Sequence, residues 1–372
     1  MTNPPGPPPL RAVVIGLGES AWRIQIPAVR SIPGAVLVGA ADIDPGRRAA
    51  AQRNGLIPVI DADPLEMLRR LRPDIVLVAT PPQTHFELCR AALELGCHVF
   101  CEKPFTLTLA EADDLVGLSR RQGRLIAVNH QYDQMPIFKE ALNRLKAGSV
   151  GGLYSVEAWQ HMHLPPWSEQ GWKKDLMPRR VLLEFGGHVI DLICRFFDAF
   201  PSAVSAQIAQ LDLQDRTDAC VVMRLDFPGG RFGNLIFNRL SQAPVKYLEM
   251  LLNGEREALR ISYGGLARFS LEWNAGNVWP RPRLSFTRGG ELRLETHGER
   301  SRHLVSQLRT AIAGATRAHL QQFIRAITAG ESPLMPAERA RAILEVVLAG
   351  YRSIDSGGEL VPIEIDRSDA RR

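Results

Sequence analysis

The chain has 372 residues, more than the roughly 100 to 200 that one domain usually holds, so its length predicts two domains. Its 45 Lys and Arg residues and 40 Asp and Glu residues leave a net charge of only +5. The basic residues are spread along the chain, which argues against a nucleic-acid-binding protein. Every apolar run is shorter than the roughly 18 residues that a membrane span needs, so we expect no transmembrane helix and no membrane partner.

The amino-terminal segment, residues 1–9, reads MTNPPGPPP. It has neither the basic region nor the apolar stretch of a secretory signal, and we expect it to be a disordered, polyproline-like tail. The five cysteines are odd in number and lack CxxC spacing. Because most of them lie in apolar segments, as reduced core cysteines do, we expect a cytoplasmic location.

Residues 10–130 alternate short β-rich runs with helical patterns, which is typical of βαβ units and a parallel sheet. One predicted helix ends at Gly96, and the next begins with a capping box formed by Thr108 and Glu111. Right-handed crossovers would then complete a doubly wound parallel sheet. The six predicted strands cover residues 11–15, 36–41, 57–60, 74–79, 98–101 and 125–129.

Residues 131–372 follow a different pattern, which predicts a second, α+β domain. A strand pattern over 153–163 precedes a helix over 181–197, and closely spaced strands then fill 203–294. Turns such as Pro228-Gly229-Gly230 favour an antiparallel sheet. Two helical patterns, over 319–328 and 336–353, close the chain.

A glycine-rich turn follows the first predicted strand and opens a helix, as in a dinucleotide-binding fingerprint. About 20 residues further on, Asp42 ends the second strand, where a carboxylate can accept hydrogen bonds from ribose hydroxyls and repel a 2′-phosphate. NAD is therefore expected, although Arg47 and Arg48 just downstream keep NADP possible. The expected cofactor-binding residues here are Gly16, Gly18, Glu19, Ser20, Ala21 and Asp42.

The run from Gly96 to Pro104 indicates a short buried strand that delivers Lys103 at its carboxyl end, where ligands bind in an open α/β sheet. An ammonium beside nicotinamide and substrate can hydrogen-bond the reacting oxygen as hydride leaves its carbon. A cis peptide bond at Pro104 would help to aim the lysine. A surface lysine is the alternative, and the position at a strand end disfavours it.

Four segments together resemble the Gfo/Idh/MocA family of nicotinamide-dependent sugar and cyclitol oxidoreductases, over nearly the whole chain. The resemblance implies an amino-terminal Rossmann domain and a carboxyl-terminal α+β domain whose open antiparallel sheet covers the active site and often mediates oligomerisation. A homodimer or homotetramer is therefore expected. The four segments are GLGESA at 16–21, ATPPQTH at 79–85, Glu102-Lys103-Pro104 and Gly187-His188-Val189-Ile190-Asp191.

The same resemblance implies a catalytic set of Lys103, His188 and Glu184, with His188 as the general base. Relatives have an aspartate four residues before this histidine, and here Glu184 stands in that place. A core histidine bonded to backbone is the alternative for His188. Thr80, Pro81, His85, Glu102 and Lys103 are expected on the cofactor side, and His130, Tyr132, Trp167 and Arg179 on the substrate side.

The predicted function is NAD(P)-dependent hydride transfer to or from a secondary alcohol or ketone of a sugar, a sugar derivative or a cyclitol. Two alternatives stay open: a glycosidase that uses bound NAD for transient oxidation and elimination, and a non-catalytic NAD(P)-binding sensor. His161 and His163 are expected on the same face of a strand, yet no carboxylate ligand accompanies them, so no metal is expected.

Overall fold

The structure is a computed structural model. It describes residues 8–164, 179–209, 218–242, 247–264, 268–272, 281–285, 289–296, 300–308 and 311–365. Most of the expected tail therefore lies outside the described residues. The chain divides into two compact units. The first comprises Met1–Gln131, Ile312–Leu344 and Asp366–Arg372, and the second comprises Tyr132–Ala311 and Glu345–Ile365.

The first unit contains a six-stranded sheet in the order β3-β2-β1-β4-β5-β6, and its described strand pairs are all parallel. The predicted doubly wound parallel sheet is confirmed. The third strand differs most from its prediction, because only two residues pair with β2. The strands are β1 (Leu10–Ile15), β2 (Ala35–Ala41), β3 (Ile60–Asp61), β4 (Ile75–Val78), β5 (His98–Cys101) and β6 (Ile126–Val128).

Helices connect these strands, and their ends follow local sequence signals. The capping box is confirmed, since the Thr108 hydroxyl accepts from the Glu111 N–H while the Glu111 carboxylate accepts from the Thr108 N–H. The first helix begins with a π-helical turn, Ala21–Gln25. It continues as α1 (Ile26–Arg30), and the later helices are α2 (Pro45–Asn54), α3 (Pro64–Leu71), α4 (His85–Glu94) and α5 (Leu109–Gln122).

A helix from the end of the chain also belongs to the first unit. Helix α8 (Ala311–Ala329) buries Leu320, Phe323 and Ile324 in the same core as strands β1 and β4. Their i, i+3, i+4 spacing forms one apolar stripe. Residues 312–344 thus pack with the parallel sheet, whereas the sequence placed them with all of 131–372. The apolar stripe is visible in the sequence, but the sequence does not show which sheet it packs against.

The second unit is built on a nine-stranded sheet in the order β16-β15-β12-β11-β7-β10-β9-β8-β17. Strands β7 and β10 pair in parallel and the other described pairs are antiparallel, so the sheet is mixed rather than antiparallel. The long stretch of chain between β7 and β10 permits a parallel pair, which a short hairpin cannot make. Its strands are β7 (Leu153–His161), β8 (Ala203–Ile208), β9 (Cys220–Phe227), β10 (Arg231–Asn238), β11 (Leu248–Gly254), β12 (Ala258–Tyr263), β15 (Gly290–Thr296), β16 (Arg300–Gln307) and β17 (Val361–Pro362).

The helix predicted over 181–197 is present in two parts, a π-helical turn Val181–Gly186 and helix α7 (Gly187–Phe197). Two further helices are α6 (Pro136–Lys146) and α9 (Ala337–Asp355), and a separate hairpin joins β13 (Arg268–Glu272) to β14 (Arg281–Ser285). Among the helices that the structure describes, none has the length and apolar character needed to cross a membrane.

Candidate functional site

The two glycines of the dinucleotide motif are needed for different physical reasons. Gly16 has a positive φ of 93°, and a Cβ there would lie 2.6 Å from the Ala79 carbonyl oxygen, so the fold itself requires glycine. A Cβ on Gly18 would meet only the Arg47 guanidinium, at 3.7 Å. The described protein thus leaves space beside Gly18, which fits the close approach of a pyrophosphate. Ala21 is fully buried, as the small residue of the motif should be.

Asp42 is fixed beside this turn by two backbone hydrogen bonds. Its Oδ2 accepts from the Leu17 N–H at 2.7 Å and its Oδ1 from the Asp44 N–H at 2.8 Å. The Arg47 guanidinium lies 3.5 Å from Oδ2. Each carboxylate oxygen has a second lone pair, so the group is oriented and still able to accept from ribose hydroxyls. Glu19, by contrast, is exposed and pairs with Arg23 one turn on.

His85 joins two loops of the first unit. The ring is fully buried, with Nδ1 2.8 Å from the Pro104 carbonyl oxygen and Nε2 3.0 Å from the Thr80 carbonyl oxygen. Burial lowers the pKa of His85, although the two carbonyl oxygens oppose that shift. With both ring nitrogens against backbone, His85 positions the loops that carry Thr80 and Lys103, and direct contact with cofactor is not the role that this placement favours.

Glu102 is held by two amide side chains from distant parts of the first unit. The carboxylate oxygen Oε1 accepts from Gln25 Nε2 at 2.8 Å and from Asn129 Nδ2 at 2.9 Å, and all three side chains are buried. The next residue, Lys103, is partly exposed, and the Lys103-Pro104 peptide bond is cis. Gln25 and Asn129 were missed by sequence reasoning. The available signals were a polar residue, Gln25, among apolar residues at the start of a helix, and an amide, Asn129, directly after a buried strand.

These residues share one edge of the parallel sheet, because parallel strands present their carboxyl ends together. Gly16 follows β1, Asp42 follows β2, Thr80 follows β4, Lys103 follows β5 and Asn129 follows β6. This arrangement fits a nicotinamide dinucleotide, because it combines an open glycine turn, an oriented carboxylate and a lysine.

In the second unit, Glu184 lies in the π-helical turn and His188 is the second residue of helix α7. The Glu184 carboxylate forms an ion pair with the guanidinium of Arg180, which is only 2% exposed. Asp218 caps the same turn from a distant segment, because its carboxylate accepts from the backbone N–H groups of Arg180 and Val181 at 2.8 and 2.7 Å. Arg180 and Asp218 therefore fix the start of the segment that carries Glu184 and His188, the two catalytic residues predicted in the second unit.

Asp218 is fully buried, and burial raises the pKa of its carboxyl group even though Tyr351 and the two backbone N–H groups oppose the rise. The Tyr351 hydroxyl donates to Asp218 at 2.6 Å. The buried Arg239 guanidinium also opposes the rise in the pKa of Asp218. The pKa of Arg239 itself is lowered by burial and by Arg180. Two guanidinium groups and two carboxylates, including Glu184, thus form one charge-balanced cluster.

Arg179 occupies a different place from its neighbour. Its guanidinium donates two hydrogen bonds to Asp355, at 2.7 and 2.6 Å, and lies 5.7 Å from the Tyr351 ring centre. Its side chain is 43% exposed. The arginine beside Glu184 is therefore Arg180, whereas Arg179, the predicted substrate-side residue, is paired with Asp355.

The remaining predicted substrate residues have mixed outcomes. Tyr132 is buried and its ring stacks on His188, with ring centres 4.2 Å apart. His130 is also buried. Trp167 lies outside the described residues. Within the described part of the chain, no group of three or more metal-ligating side chains is found.

Comparison with known proteins agrees with this arrangement. A model of an oxidoreductase family with an NAD-binding Rossmann fold matches residues 10–130, and a model of the GFO/IDH/MocA carboxyl-terminal domain matches residues 138–260. The chain belongs to the Gfo/Idh/MocA family. It is accordingly an NAD-binding oxidoreductase, and the resemblance found in its motifs is confirmed.

Three curated relatives show how far the similarity extends. The chain is 25% identical over 362 residues to scyllo-inositol 2-dehydrogenase (NAD(+)) of Bacillus subtilis, covering 96% of each protein. It is 29% identical over 186 residues to D-glucoside 3-dehydrogenase of Escherichia coli, covering 49% of this chain and 52% of that protein. It is also 29% identical over 222 residues to an uncharacterized oxidoreductase of Schizosaccharomyces pombe, covering 56% and 59%. The chain thus spans little more than half the length of the last two relatives.

Among solved structures, myo-inositol 2-dehydrogenase from Lactobacillus plantarum has a TM-score of 0.76 at 19% identity, covering 96% of this chain and 100% of that one. At that identity the likeness shows the shared fold.

Proposed function

We propose that this protein transfers hydride between a nicotinamide cofactor and a secondary alcohol or ketone of a sugar, a sugar derivative or a cyclitol. NAD is the expected cofactor and NADP stays possible because Arg47 lies beside Asp42. The named relatives act on inositols and a glucoside, which supports this class of substrate.

The observation that carries the proposal is the placement of Lys103. It lies two residues after buried strand β5, at the edge of the sheet where the strands' carboxyl ends meet and directly after a carboxylate held by two amides. When bound, NAD supplies the hydride acceptor. The Lys103 ammonium would donate a hydrogen bond to the reacting oxygen and stabilise its developing negative charge.

The second unit would supply the proton acceptor. In its neutral form, the imidazole of His188 can accept the hydroxyl proton. In the reverse direction the imidazolium would return that proton to the oxygen. The Glu184 carboxylate, fixed by Arg180, would accept a hydrogen bond from a substrate hydroxyl and so orient the sugar or cyclitol.

The proposal predicts the largest loss for Lys103→Met. Turnover of scyllo-inositol or methyl D-glucoside with NAD should fall by about 100-fold or more, as when an oxyanion-stabilising donor is removed. Reduced nicotinamide absorbance measures turnover, and NADH fluorescence titration measures cofactor binding, which should persist. Lys139→Met, at an exposed position on α6, is the matched control and should behave as the parent.

Near-normal turnover by Lys103→Met would overturn the role of the lysine. Cleavage of glycosides without accumulation of NADH would instead favour a glycosidase with transient oxidation. A parent protein that binds NADH but turns over no member of a broad sugar and cyclitol panel would favour a sensor.

A further inference from the structure

We infer that Tyr132 is a positioning residue for the His188 imidazole rather than a contact for the substrate. This inference rests on the proposed role of His188 as proton acceptor. It assigns to Tyr132 a function different from the substrate contact that the sequence predicts.

The first observation is the geometry of the two rings. Tyr132 and His188 are stacked with an angle of 4° between their planes and 4.2 Å between their centres. Both side chains are buried, Tyr132 with 5% and His188 with 7% of its surface exposed. A parallel stack at this distance restricts rotation of the imidazole about its Cβ–Cγ bond, because any large turn would drive the ring edge into the phenol face.

The second observation is that Tyr132 is itself held on several sides. Phe138 stacks on it with an interplanar angle of 4° and a centre distance of 5.7 Å, and Tyr263 contacts it edge-on at 5.9 Å. Its hydroxyl lies close enough to the side chain of Tyr247 for the two groups to shift each other's pKa. Tyr247 in turn packs edge-on against Tyr263, at 5.6 Å. The phenol ring is therefore a fixed surface against which His188 rests.

The third observation concerns what the phenol group cannot do. Burial raises the pKa of Tyr132 well above 10, so its hydroxyl stays protonated at neutral pH. Tyr132 is thus poorly suited to act as an acid or base itself, and the face of its ring is the part that reaches His188.

A fixed imidazole plane matters because proton transfer requires the accepting nitrogen to lie within hydrogen-bond reach of the substrate hydroxyl and to point at it. Ground-state binding of the sugar would not depend on that alignment. Loss of the platform should therefore lower kcat and leave KM nearly unchanged, whereas loss of a substrate contact should raise KM.

The test compares Tyr132→Leu, which removes the platform, with Tyr132→Phe, which keeps the ring and removes only the hydroxyl. Tyr247→Phe removes the neighbouring hydroxyl, keeps its ring, and is the matched control. With scyllo-inositol or methyl D-glucoside and NAD as probes, we expect a fall in kcat of about 10- to 100-fold for Tyr132→Leu at nearly constant KM. Tyr132→Phe should recover most of that loss.

A second measurement examines the stack without turnover. In protein labelled at its nine histidines, the His188 ring protons should resonate upfield because they lie over an aromatic face. His188→Gln assigns the signal by its disappearance. The signal should move downfield in Tyr132→Leu and stay in place in Tyr132→Phe and Tyr247→Phe.

The outcomes separate the two proposals. If His188→Gln turns over both probes normally, the proposed role of His188 is wrong, and with it the positioning role of Tyr132. If His188→Gln is inactive while Tyr132→Leu keeps its kcat or mainly raises KM, only the inference about Tyr132 is wrong. An unshifted His188 signal in Tyr132→Leu would also overturn it, whether or not the probes are turned over.

Discussion

Glu102 and Glu184 are the same side chain in two units of one protein, and the protein holds them by opposite means. Glu102 accepts from two neutral amides, Gln25 and Asn129. Glu184 is paired with the buried guanidinium of Arg180. Neutral donors orient a carboxylate and leave its charge in place, whereas a guanidinium orients it and cancels the charge.

The difference has a consequence for function. An acid beside the cofactor edge keeps a negative charge that can attract the Lys103 ammonium or bind ribose hydroxyls. An acid whose charge is cancelled acts mainly as a hydrogen-bond acceptor, which suits neutral sugar hydroxyls. Stability should also depend more strongly on Arg180, the partner of Glu184, than on either partner of Glu102, because loss of its buried guanidinium leaves Glu184, Asp218 and Arg239 with an unbalanced negative charge.

The largest expected effect is that of Arg180→Met. It leaves Glu184 beside a methyl thioether, and we expect the free energy of unfolding to fall by about 3 kcal/mol, as for other broken buried pairs. Urea unfolding followed by circular dichroism measures this change.

The neighbouring arginine supplies a matched control for that change. Arg179→Met breaks an ion pair with Asp355 that is largely solvent-exposed, so it should cost no more than about 1 kcal/mol. Equal losses for the two variants would contradict the contrast between Glu184 and an ordinary surface ion pair.

A smaller effect is expected at Glu102. Gln25→Leu and Asn129→Leu each remove one hydrogen bond to a charged acceptor, and each should cost about 1.5–2 kcal/mol of unfolding free energy. Because both amides donate to the same oxygen, Oε1, the double variant should deviate from additivity by about 0.5 kcal/mol or more. Strict additivity in the same urea experiment would show that the two amides do not share one acceptor.

The smallest effect concerns acid, and it should have opposite signs in the two units. Burial, followed by Arg124, lowers the pKa of His98 to about 4, and His98 Nδ1 accepts from the Leu125 N–H at 3.0 Å. The unfolded chain therefore binds more protons than the folded one between about pH 6.5 and 4, so acidification destabilises the first unit. Asp218, whose pKa is raised by burial, contributes in the opposite direction in the second unit.

Because His98 is partly exposed, we discount its contribution to about 1–2 kcal/mol. His98→Asn keeps an acceptor but cannot titrate, and it should flatten the loss of stability between pH 6.5 and 4.5. Amide hydrogen exchange, read separately for β5 and for the strands of the second unit, measures the effect. A loss that is unchanged in His98→Asn would assign the acid sensitivity to other groups.

Local patterns in the sequence predicted the structural features that depend only on residues close together in the chain. Strand β5 has the predicted bounds, the Thr108 capping box forms as expected, and Gly16 occupies a turn that only glycine can adopt. Each of these signals is carried by a few consecutive residues, so one sequence suffices to recognise it.

The missed residues act across long stretches of chain. Gln25 is 77 residues from Glu102, and Asp218 is 38 residues from the backbone N–H of Arg180 that it caps. No local pattern links such pairs, and nothing in the sequence separates Arg179 from Arg180. The homo-oligomeric state and the cytoplasmic location stay predictions.

The π-helical turn at Ala21–Gln25 has a consequence for which changes in chain length this protein can accept. A π-turn contains one residue more than an α-helical turn needs. Deleting a single residue before Gln25 would remove the extra one, so the helix could continue as a regular one with Gln25 still facing Glu102. The same deletion in a regular α-helix would rotate every later side chain by about 100° around the axis, so this turn is the place in the helix where the chain can lose a residue and keep the Gln25 amide on Glu102.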